Sequence, residues 1–500
     1  MKSVNTLRFL LLTSALFSQV ASAAIINIAG TSTAGEEMGS AVAAGDFNCD
    51  GYDDLAVNSA GTTQFNIIYG GTGSGAQLGT PGNSQFSMAA ALGVTMTTGD
   101  FDGDGCDDLA VGRPRDAVGS VPDAGQVFIF YGHHSGLNLS PEIWNQDVSG
   151  VADSAESSDE FGASLAAGDF NGDGYDDLAI GVYGENEGGA VYVMHGQPLA
   201  GLATFTTRFF TQNSSGIADT DETGDGFGSS LASGDFDNDG NDDLAIGAPY
   251  EDVENGNFNR DAGVVHVLYS DGNSLSSSGS QLWLQGAGGL PDDPDSEEQF
   301  GFSLATGDFD GNGHDDLVIG VPYDFRSGGN CSGPGCSSYT SGGVHLLYGM
   351  TSGLNDDWNQ YWRATSPGIG WDLISRFGWA LAVGDFNNNG LDDLAIGGPH
   401  RYLSNLRTGM VKVLYGGVPT LTTTGGQNFH QNSSGTDGEI EEDDRFAHSM
   451  TTGDFNGDGR SDLVVGVPGE VYNGVKAGIT QVFYGGSSVL STSNDQIFVQ

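Results

Sequence analysis

Basic residues are scarce in this chain of 500 residues. It has 15 lysine and arginine residues against 66 aspartate and glutamate residues, which gives a formal net charge of −51. Such a surface repels phosphate backbones and anionic lipid headgroups, because few cations are present to neutralise them. The composition therefore argues against nucleic acid and anionic membranes as partners.

Long apolar segments are also missing. The apolar stretch near the N-terminus, Phe9–Phe17, is shorter than the roughly 20 residues that a membrane-spanning helix needs. It follows Lys2 and Arg8 and precedes the small residues Ala21-Ser22-Ala23, as in a secretory signal peptide. We predict a signal peptide over residues 1–23, cleavage near Ala23, a secreted or cell-surface protein with the periplasm as the alternative location, and no membrane insertion.

Cysteine is rare, with four residues in all. Cys331 and Cys336 are five positions apart and are predicted to close a small disulfide loop in an oxidising compartment. Cys49 and Cys106 each lie within an acidic repeat. Because the sequence does not give the distance between them, a disulfide and two free thiols both stay open.

One acidic loop, in contrast, occurs seven times at intervals of 54 to 77 residues. The seven copies are GDFNCDGYDDLAV from Gly45, GDFDGDGCDDLAV from Gly99, GDFNGDGYDDLAI from Gly168, GDFDNDGNDDLAI from Gly234, GDFDGNGHDDLVI from Gly307, GDFNNNGLDDLAI from Gly384 and GDFNGDGRSDLVV from Gly453. We call them acidic loops 1 to 7 and count positions from the first aspartate. The recurrence predicts one repeated structural unit.

The loop pattern is Asp-x-(Asp/Asn)-x-(Asp/Asn)-Gly-x-x-Asp, which predicts calcium binding. Calcium takes six to eight oxygen ligands, and side chains at positions 1, 3 and 5 point towards one centre. Glycine at position 6 permits the sharp turn, position 7 offers its carbonyl, and the aspartate at position 9 closes the shell. The chain then continues into an apolar run such as Leu-Ala-Ile-Gly, so each loop leads into a strand.

We predict up to seven structural Ca²⁺ ions, bound by side chains at positions 1, 3, 5 and 9 and by the backbone carbonyl at position 7. The predicted ligands are Asp46, Asn48, Asp50, Tyr52 and Asp54; Asp100, Asp102, Asp104, Cys106 and Asp108; Asp169, Asn171, Asp173, Tyr175 and Asp177; Asp235, Asp237, Asp239, Asn241 and Asp243; Asp308, Asp310, Asn312, His314 and Asp316; Asp385, Asn387, Asn389, Leu391 and Asp393; and Asp454, Asn456, Asp458, Arg460 and Asp462.

Ligand charge ranks the loops. Loops 2 and 4 have four carboxylates each, whereas loop 6 has two, so loop 6 is predicted to bind most weakly. Two alternatives are a network of Asp-Gly turns without metal, and magnesium. Both fit less well, because unneutralised carboxylates repel one another and Mg²⁺ favours octahedral, water-rich sites.

The repeat unit predicts four short antiparallel strands. In the third unit these are FGASLAAGDF (Phe161–Phe170), DLAIG (Asp177–Gly181), AVYVMHG (Ala190–Gly196) and TRFFTQ (Thr207–Gln212). So small a sheet must pack on its neighbours to bury both faces, and seven such units are typical of a β-propeller. A linear β-solenoid is the alternative fold, although its repeats are usually shorter.

The repeats resemble FG-GAP repeats, as in the N-terminal propeller of integrin α subunits, over residues 36–500. The Phe-Gly motif stands at Phe161-Gly162, Phe227-Gly228, Phe300-Gly301 and Phe377-Gly378, with variants Met38-Gly39, Phe86-Ser87 and Phe446-Ala447. The Gly-Ala-Pro motif stands at Gly247-Ala248-Pro249, with variants at Gly112-Arg113-Pro114, Gly320-Val321-Pro322, Gly397-Gly398-Pro399, Gly466-Val467-Pro468 and Asn58-Ser59-Ala60.

The resemblance implies an all-β, seven-bladed propeller of four-stranded antiparallel blades, with a calcium loop between strands 1 and 2 of each. We expect one propeller over residues 24–500, with blades at about 36–83, 84–158, 159–224, 225–297, 298–374, 375–443 and 444–500. Two segments compete for the outermost position in the last blade, IFVQ at the C-terminus and IINI near residue 25.

Cations are concentrated in the loops between strands 2 and 3, which lie on the face opposite the acidic loops. They are Arg113, Arg115, Arg260, Arg326, Arg401, Arg407 and Lys476. Arginine is favoured at binding hot spots and matches carboxylates in bidentate geometry. These residues are therefore candidates for partner binding. The alternative is that they neutralise the aspartate- and glutamate-rich connections from strand 4 of one blade to strand 1 of the next, which are distinct from acidic loops 1 to 7.

No Gly-x-Ser-x-Gly or His-Glu-x-x-His motif occurs, so we predict no enzymatic activity. The leading prediction is a secreted, integrin-α-like calcium-binding propeller for adhesion to, or recognition of, an extracellular protein or glycan. Two alternatives stay open: a secreted hydrolase or lyase acting on polysaccharide or phosphoester, and a structural surface or matrix component. The sequence leaves the oligomeric state open.

Overall fold

A computed structural model describes residues 24–27, 35, 37–59, 64–71, 78, 84–87, 94–138, 140–254, 258–325, 341–371, 374–433, 436, 438–492 and 495–499. The predicted signal peptide, Arg326 and the predicted Cys331–Cys336 disulfide lie outside these residues. Among them, no helix is both long and apolar enough to cross a membrane.

Seven antiparallel sheets follow one another along the chain, and in each the strands pair in chain order from strand 1 to strand 4. Blades 1 to 3 have strands Met38–Gly45, Asp54–Ser59, Gln64–Ile68 and Ser84–Ser87; Thr95–Gly99, Asp108–Arg113, Gln126–Phe130 and Glu142–Trp144; and Phe161–Gly168, Asp177–Val182, Ala190–His195 and Ala203–Phe210. Blades 4 and 5 have strands Ser230–Gly234, Asp243–Ala248, Val264–Ser270 and Leu275–Trp283; and Ser303–Gly307, Asp316–Val321, Gly343–Tyr348 and Asn355–Arg363. Blades 6 and 7 have strands Ala380–Gly384, Asp393–Gly398, Met410–Tyr415 and Thr422–Phe429; and Ser449–Gly453, Asp462–Val467, Ile479–Phe483 and Gln496–Val499.

The remaining elements are small. Two-residue hairpins extend the loops between strands 2 and 3 in blades 4, 6 and 7: Val253–Glu254 with Phe258–Asn259, Tyr402–Leu403 with Leu406–Arg407, and Val471–Tyr472 with Val475–Lys476. One 3₁₀ turn covers Glu185–Glu187. The fold is the predicted all-β, seven-bladed propeller, and the described part of the chain contains no α-helix.

Strands 1 of several blades surround a central cavity on the axis of the propeller. Its lining includes Thr97, Ala166, Ala232, Thr306, Ala382 and Thr452. Leu165, Leu231, Leu381 and Met450 line the same cavity, so its wall combines small with larger apolar side chains.

The hydrophobic core lies between neighbouring blades. One cluster joins Val191 and Val193 of blade 3 to Leu244 and Ile246 of blade 4. Strand 2 of blade 4 is buried along its whole length, which explains its continuous apolar sequence. Each blade therefore needs both neighbours to cover its two faces.

The Phe-Gly dipeptide that begins one blade contacts the preceding blade, including the glycine near the end of its strand 2. Phe227 is fully buried, and its N–H donates to the Gly188 carbonyl of the preceding blade at 2.9 Å. Gly228 follows with φ +88°, and a Cβ on Gly181 would lie 2.1 Å from the Gly228 oxygen. The same three features recur at blade boundaries marked by Phe161-Gly162, Phe300-Gly301 and Phe377-Gly378. The motif is therefore a blade-to-blade contact.

The motif variants keep this contact in two blades. The Met38 N–H donates to Ala477 O at 2.8 Å and Gly39 has φ +79°, while Ala447 adopts φ +67° after Phe446. The third variant, Phe86-Ser87, differs from the prediction. Ser84–Ser87 pairs with Gln64–Ile68 as the outer strand of blade 1, so blade 1 extends beyond residue 83.

Both candidate closing segments belong to blade 7. Gln496–Val499 is its strand 4, and Ala24–Asn27 adds a fifth strand parallel to it on the outside. Ring closure itself comes from packing of blade 7 against blade 1. There the Ser449 hydroxyl donates to Gly39 O at 2.8 Å, and the Leu78 N–H donates to Tyr484 Oη at 3.2 Å.

We expect Gly247→Ala to destabilise the propeller by about 1–3 kcal/mol through overpacking. Its Cβ would lie 2.2 Å from Ser230 Oγ and 2.3 Å from Gly301 O of the next blade. Gly279→Ala is the control, since its Cβ meets nothing within 4 Å and only its φ of +89° is unfavourable. Thermal unfolding should show the lower melting temperature for Gly247→Ala; equal or reversed shifts would contradict this account.

Candidate metal centres

The acidic loops share one backbone conformation. Position 4 lies in the left-handed region in all seven, as Cys49 (φ 54°), Gly103, Gly172, Asn238, Gly311, Asn388 and Gly457. Position 6 does so as well, as Gly51, Gly105, Gly174, Gly240, Gly313, Gly390 and Gly459. Glycine and asparagine tolerate this conformation better than other residues, which explains their use at these positions.

Backbone N–H groups orient the carboxylates of each loop. In loop 3, Asp169 accepts the N–H of Asp173 at 3.1 Å and that of Gly174 at 2.8 Å, while Asp173 accepts the N–H of Tyr175 at 3.1 Å. The equivalent bonds occur in the other six loops. The side chains at positions 1 and 5 are therefore held in place by the loop itself.

The aspartate at position 9 opens strand 2 and is buried in every loop. Asp177 is 0% exposed and accepts the N–H of Gly196, which follows strand 3, at 2.9 Å. Burial raises the pKa of Asp177 to about 8, although this hydrogen bond acts in the opposite direction. The pKa is raised to about 8 also for Asp54, Asp108, Asp243, Asp316 and Asp462, and to about 7 for Asp393. A nearby cation would stabilise the ionised form.

Position 3 divides the loops into two groups. In loops 1, 3, 6 and 7 it is asparagine, and its amide donates to the aspartate at position 9, as Asn171 does to Asp177 at 3.0 Å. In loops 2, 4 and 5 it is aspartate, and Asp237 Oδ1 is buried without a hydrogen-bond partner. Loops 2, 4 and 5 therefore bring carboxylates together without this amide donor.

Carboxylate oxygens converge in these same three loops. Oxygen atoms lie within 4.8 Å of one another in the groups Asp100, Asp102 and Asp108; Asp235, Asp237 and Asp239; and Asp308, Asp310 and Asp316. Across residues 94–138, 140–254 and 258–325, no lysine or arginine forms an ion pair with these carboxylates. A set of oxygen donors with an unpartnered buried oxygen fits a hard cation such as Ca²⁺.

A carboxylate that the calcium pattern does not use links each acidic loop to the one before it. Asp242, at position 8 of loop 4, accepts the N–H of Asp169 in loop 3 at 2.9 Å, and its own N–H donates to Asp169 O at 3.1 Å. The same pair of bonds is made by Asp53, Asp107, Asp176, Asp315 and Asp392. Sequence analysis missed these residues, although position 8 is aspartate in six of seven loops.

A disulfide joins Cys49 of loop 1 to Cys106 of loop 2, with Cα atoms 4.9 Å apart, so the alternative of two free thiols does not hold. The two cysteines occupy positions 4 and 7. Elsewhere, position 4 of one loop lies close against the side chain at position 7 of the next loop. A Cβ added to Gly103 would clash with the ring of Tyr175 at 2.0 Å, and one added to Gly172 would clash with Asn241 Oδ1 at 2.1 Å. The disulfide therefore replaces a contact that the fold already makes between neighbouring loops.

The candidate partner-binding cations lie on the opposite face, and most are paired. Arg260 pairs with Glu297 at 2.5 Å, Arg407 pairs with Asp443, and Arg115 lies 4.0 Å from Glu160. The charge of Lys476 acts on Asp444, and Arg401 donates to Tyr402 O at 2.6 Å. These pairs favour the alternative in which the cations neutralise the aspartate- and glutamate-rich connections from strand 4 of one blade to strand 1 of the next.

Arg113 is a correction to the predicted set. It is 2% exposed, pairs with Asp116 at 2.8 Å and stacks its guanidinium 5.3 Å from the centre of the Phe128 ring. A side chain this buried presents no charge to a partner. Its place in the Gly-Arg-Pro variant of the motif explains the burial, because that position lies at the end of strand 2 between blades.

Aromatic side chains form an arc on this same face, which we call the aromatic arc. Trp379 lies 4.8 Å from Phe302, 6.0 Å from His400 and 5.9 Å from His448 between ring centres. Phe302 lies 6.0 Å from Tyr323, and Arg376 covers the rings of Tyr323 and Trp379 at 4.7 and 5.2 Å. Tyr183 and Tyr250, with ring centres 6.4 Å apart, extend the arc, since Tyr250 also interacts electrostatically with Tyr323. The predicted partner-binding residues did not include Phe302 and Trp379, which directly follow the Phe-Gly motif.

Comparison with known proteins gives matches in every blade. The FG-GAP repeat family matches residues 38–76, 92–130, 161–194, 227–268, 300–347, 377–414 and 446–483. Integrin alpha-PS2 of Drosophila melanogaster is 31% identical over 275 residues, which is 50% of this chain and 17% of that protein. Integrin alpha pat-2 of Caenorhabditis briggsae is 30% identical over 250 residues, 48% of this chain and 18% of that protein.

A second kind of relative is an enzyme by name. Phosphatidylinositol-glycan-specific phospholipase D of Bos taurus is 33% identical over 198 residues, which is 39% of this chain and 21% of that protein. The chain thus matches about a fifth of the length of each of these relatives.

We expect Asp242→Ala to lower the free energy of unfolding by about 1–3 kcal/mol, since it removes a charge-assisted hydrogen bond between blades. Ser461→Ala is the control, because serine occupies position 8 of loop 7 and carries no charge. Denaturant unfolding of both variants in millimolar calcium would measure the difference. A loss for Ser461→Ala as large as that for Asp242→Ala would argue against the carboxylate as the cause.

Without metal, we expect the protein to lose stability as pH rises from 7 to 8.5. The seven aspartates at position 9 have a folded pKa of about 7 to 8, above the unfolded value of 3.8, so the folded state binds more protons in this range. The free energy of unfolding then falls with pH. The buried histidines, with pKa values lowered from 6.5, act mainly below this window. Melting temperatures in chelator should fall across this range, and a flat or rising profile would contradict the expectation.

Proposed function

Because this chain belongs to the FG-GAP repeat family, we propose that it is a secreted calcium-binding propeller that mediates adhesion to, or recognition of, an extracellular protein or glycan. The proposal has two parts, a structural role for calcium in the acidic loops and a binding role for the opposite face. The integrin alpha relatives support the adhesion part, although the match covers less than a fifth of their length.

The calcium part rests on one observation above all: Asp237 Oδ1 is buried without a partner in a loop whose carboxylate oxygens lie within 4.8 Å. An uncompensated carboxylate in such a site is costly, and a calcium ion coordinated by its oxygens would remove that cost. The acidic loops join strands 1 and 2, and the bonds from position 8 join each loop to the next. Bound calcium would therefore rigidify the ring of loops and reduce the repulsion among them.

Bound calcium would have no part in redox or hydrolytic chemistry in this proposal. Its ligands would be the side chains at positions 1, 3, 5 and 9 and the carbonyl at position 7. What this chain supplies is the orientation of those oxygens, by backbone N–H bonds such as those from Asp173 and Gly174 to Asp169.

The recognition part rests on the aromatic arc. Tyrosine and tryptophan supply large contact areas with little loss of conformational entropy, and they are frequent at binding hot spots. The arc lies on the face that carries the longest loops between strands 2 and 3, away from the acidic loops. Arg401 and Arg407 lie in one of these loops, in blade 6. This face therefore combines rigid apolar surface with nearby polar groups.

A hydrolase is the second candidate, favoured by the phospholipase D relatives. The rings of His400 and His448 lie 6.0 and 5.9 Å from that of Trp379. Their pKa values are lowered to about 4, by burial and by neighbouring arginines, so they are neutral at physiological pH. A pKa of about 4 makes each imidazole a weak general base at neutral pH, so this candidate rests on the phospholipase D relatives. Its test is turnover of phosphoester or polysaccharide substrates.

Calcium binding should be weakest in loop 6. We expect Asp393→Asn, in loop 6, to remove the calcium ion that is released first as the free calcium concentration is lowered. Asp243→Asn, in loop 4, should instead remove a tightly bound calcium ion. Competition between the protein and a fluorescent chelator measures both affinity classes. If Asp243→Asn removed the weak class instead, ranking the loops by carboxylate count would be wrong.

Recognition should be saturable and should require calcium. We expect the protein to bind a component of an array of glycans and matrix proteins in millimolar calcium and to lose that binding in chelator. Trp379→Ala with Tyr323→Ala should abolish binding, and Arg401→Ala with Arg407→Ala should weaken it. Trp358→Ala is the matched control, since Trp358 is 77% exposed and lies on strand 4, outside the arc. Binding that survives the first double variant would exclude the arc as the recognition surface.

A further inference from the structure

A second set of acidic groups repeats at the boundaries between blades, on the face opposite the acidic loops. Each begins with a glutamine two residues after strand 4, continues with acidic residues 10 and 13 positions later, and ends with a glutamate 39 positions after the glutamine, in the next blade. The first two clusters have a further aspartate 7 positions after the glutamine. We call these groups the junction clusters. They are Gln146, Asp153, Glu156, Asp159 and Glu185 between blades 2 and 3; Gln212, Asp219, Glu222, Asp225 and Glu251 between blades 3 and 4; and Gln431, Glu441, Asp444 and Glu470 between blades 6 and 7.

The three clusters have the same geometry. Gln212 Nε2 donates to Glu251 Oε2 at 2.7 Å, and Gln431 Nε2 donates to Glu470 Oε2 at 2.6 Å; Gln146 donates to Glu185 in the same way. In the middle of each cluster a backbone N–H donates to a carboxylate three residues later, as from Glu222 to Asp225 at 2.6 Å. Side-chain oxygens of Asp219, Glu222 and Glu251 lie within 4.8 Å of one another. These oxygens come from two blades and converge on one point.

Each cluster also contains a buried oxygen without a partner. Gln146, Gln212 and Gln431 are 1%, 1% and 0% exposed, and the Oε1 atom of each has no hydrogen-bond partner. In the cluster between blades 6 and 7, Asp444 is 0% exposed and its Oδ1 is unpartnered as well. The Oε1 atom of Gln285, at the equivalent position between blades 4 and 5, has no partner either. Buried amide oxygens nearly always accept a hydrogen bond or contact an ion, so these four equivalent exceptions need an explanation. The carboxylates around them offer no donor.

The boundary between blades 4 and 5 shows what the cluster requires. There Gln285 and Asp324 stand at the equivalent positions, and Arg363 donates from Nε to Asp324 Oδ2 at 2.9 Å and also pairs with Asp292. A guanidinium from strand 4 of blade 5 thus supplies positive charge to the cluster. Between blades 5 and 6 the equivalent positions are Ala364, Ser375 and Arg401, so the glutamine and two of the carboxylates are replaced, while Asp372 keeps the acidic residue three positions before Ser375.

The other three clusters have carboxylates without such an arginine. Over the described residues, no lysine or arginine forms an ion pair with any member of these clusters. Only Lys476 acts on one of them from a distance, at Asp444. The chain itself therefore leaves these charges uncompensated.

We propose that each of the three junction clusters binds one Ca²⁺ ion, through its carboxylates and the unpartnered oxygen of its glutamine. The ligands are all oxygen, which fits a hard cation and not zinc, whose sites use nitrogen and sulfur. Several carboxylates carried by different loops suit the variable coordination of calcium better than the octahedral geometry of magnesium. These ions are additional to those proposed for the seven acidic loops and lie on the other face.

Calcium at these positions would have a mechanical consequence. Each ion would connect the end of strand 4 in one blade to the loop after strand 2 in the next. It would also fix the connection from strand 4 of one blade to strand 1 of the next, which borders the aromatic arc. The face proposed for recognition would then be ordered by its own ions, independently of the acidic loops.

The test counts calcium in the full chain by equilibrium dialysis at saturating calcium and locates it by anomalous diffraction from crystals grown in calcium. Glu251→Gln should bind one equivalent less than the wild type. Glutamine matches the shape of a protonated glutamate and can keep contact with Gln212, so the variant should fold. Ser375→Ala is the control and should bind as much as the wild type, because at that boundary serine stands in place of Asp225 and Arg401 in place of Glu251.

A second variant tests the same idea by supplying the positive charge. Thr211 stands in blade 3 where Arg363 stands in blade 5. Thr211→Arg should place a guanidinium in the cluster between blades 2 and 3 and remove one calcium equivalent without lowering the melting temperature in chelator. The proposal is overturned if both variants bind as much calcium as the wild type, or if anomalous peaks occur at the acidic loops alone. Absence of peaks at the acidic loops would instead count against the calcium part of the proposed function.

Discussion

Close contact between neighbouring blades is the constraint on which this structure depends. A four-stranded sheet exposes two apolar faces, and here each face is covered by the next sheet in the ring. At one end of strand 2, Gly181 allows the Gly228 carbonyl of the next blade to approach to a distance that any side chain would prevent. At the other end, Asp242 holds the acidic loop of the preceding blade. These two contacts explain the most regular features of the repeat, namely its glycines and its paired aspartates.

The acidic residues fall into classes that composition alone does not separate. Adjacent aspartates at positions 8 and 9 do different work: Asp176 accepts a hydrogen bond from the preceding blade, while Asp177 faces its own loop and is buried at the start of strand 2. A third class, the junction clusters, lies on the opposite face. A net charge of −51 is therefore largely an arrangement of specific, partly buried carboxylates, and their repulsion is the reason to expect bound cations.

Sequence reasoning was accurate where a pattern is local and repeated. The strands of blade 3 were predicted to within a few residues, except that its fourth strand begins at Ala203 and not at Thr207. It was less accurate in blade 1, where Phe86-Ser87 resembles the motif that begins a blade yet pairs as an outer strand. Pairing partners far apart along the chain decide such cases, and a dipeptide carries too little information to identify them. For the same reason, Arg113 could not be recognised as buried from its position in a loop motif.

The sequence by itself determined the number of blades, the position of every acidic loop and the residue types that converge there, because each of these depends on short-range backbone geometry repeated seven times. Only the tertiary structure decided which atoms meet between blades. It paired Cys49 with Cys106, placed Ala24–Asn27 beside the last strand and brought Gln212 to Glu251. The physical reason is that these contacts join residues tens to hundreds of positions apart, whose separation is set by the curvature and closure of the whole ring.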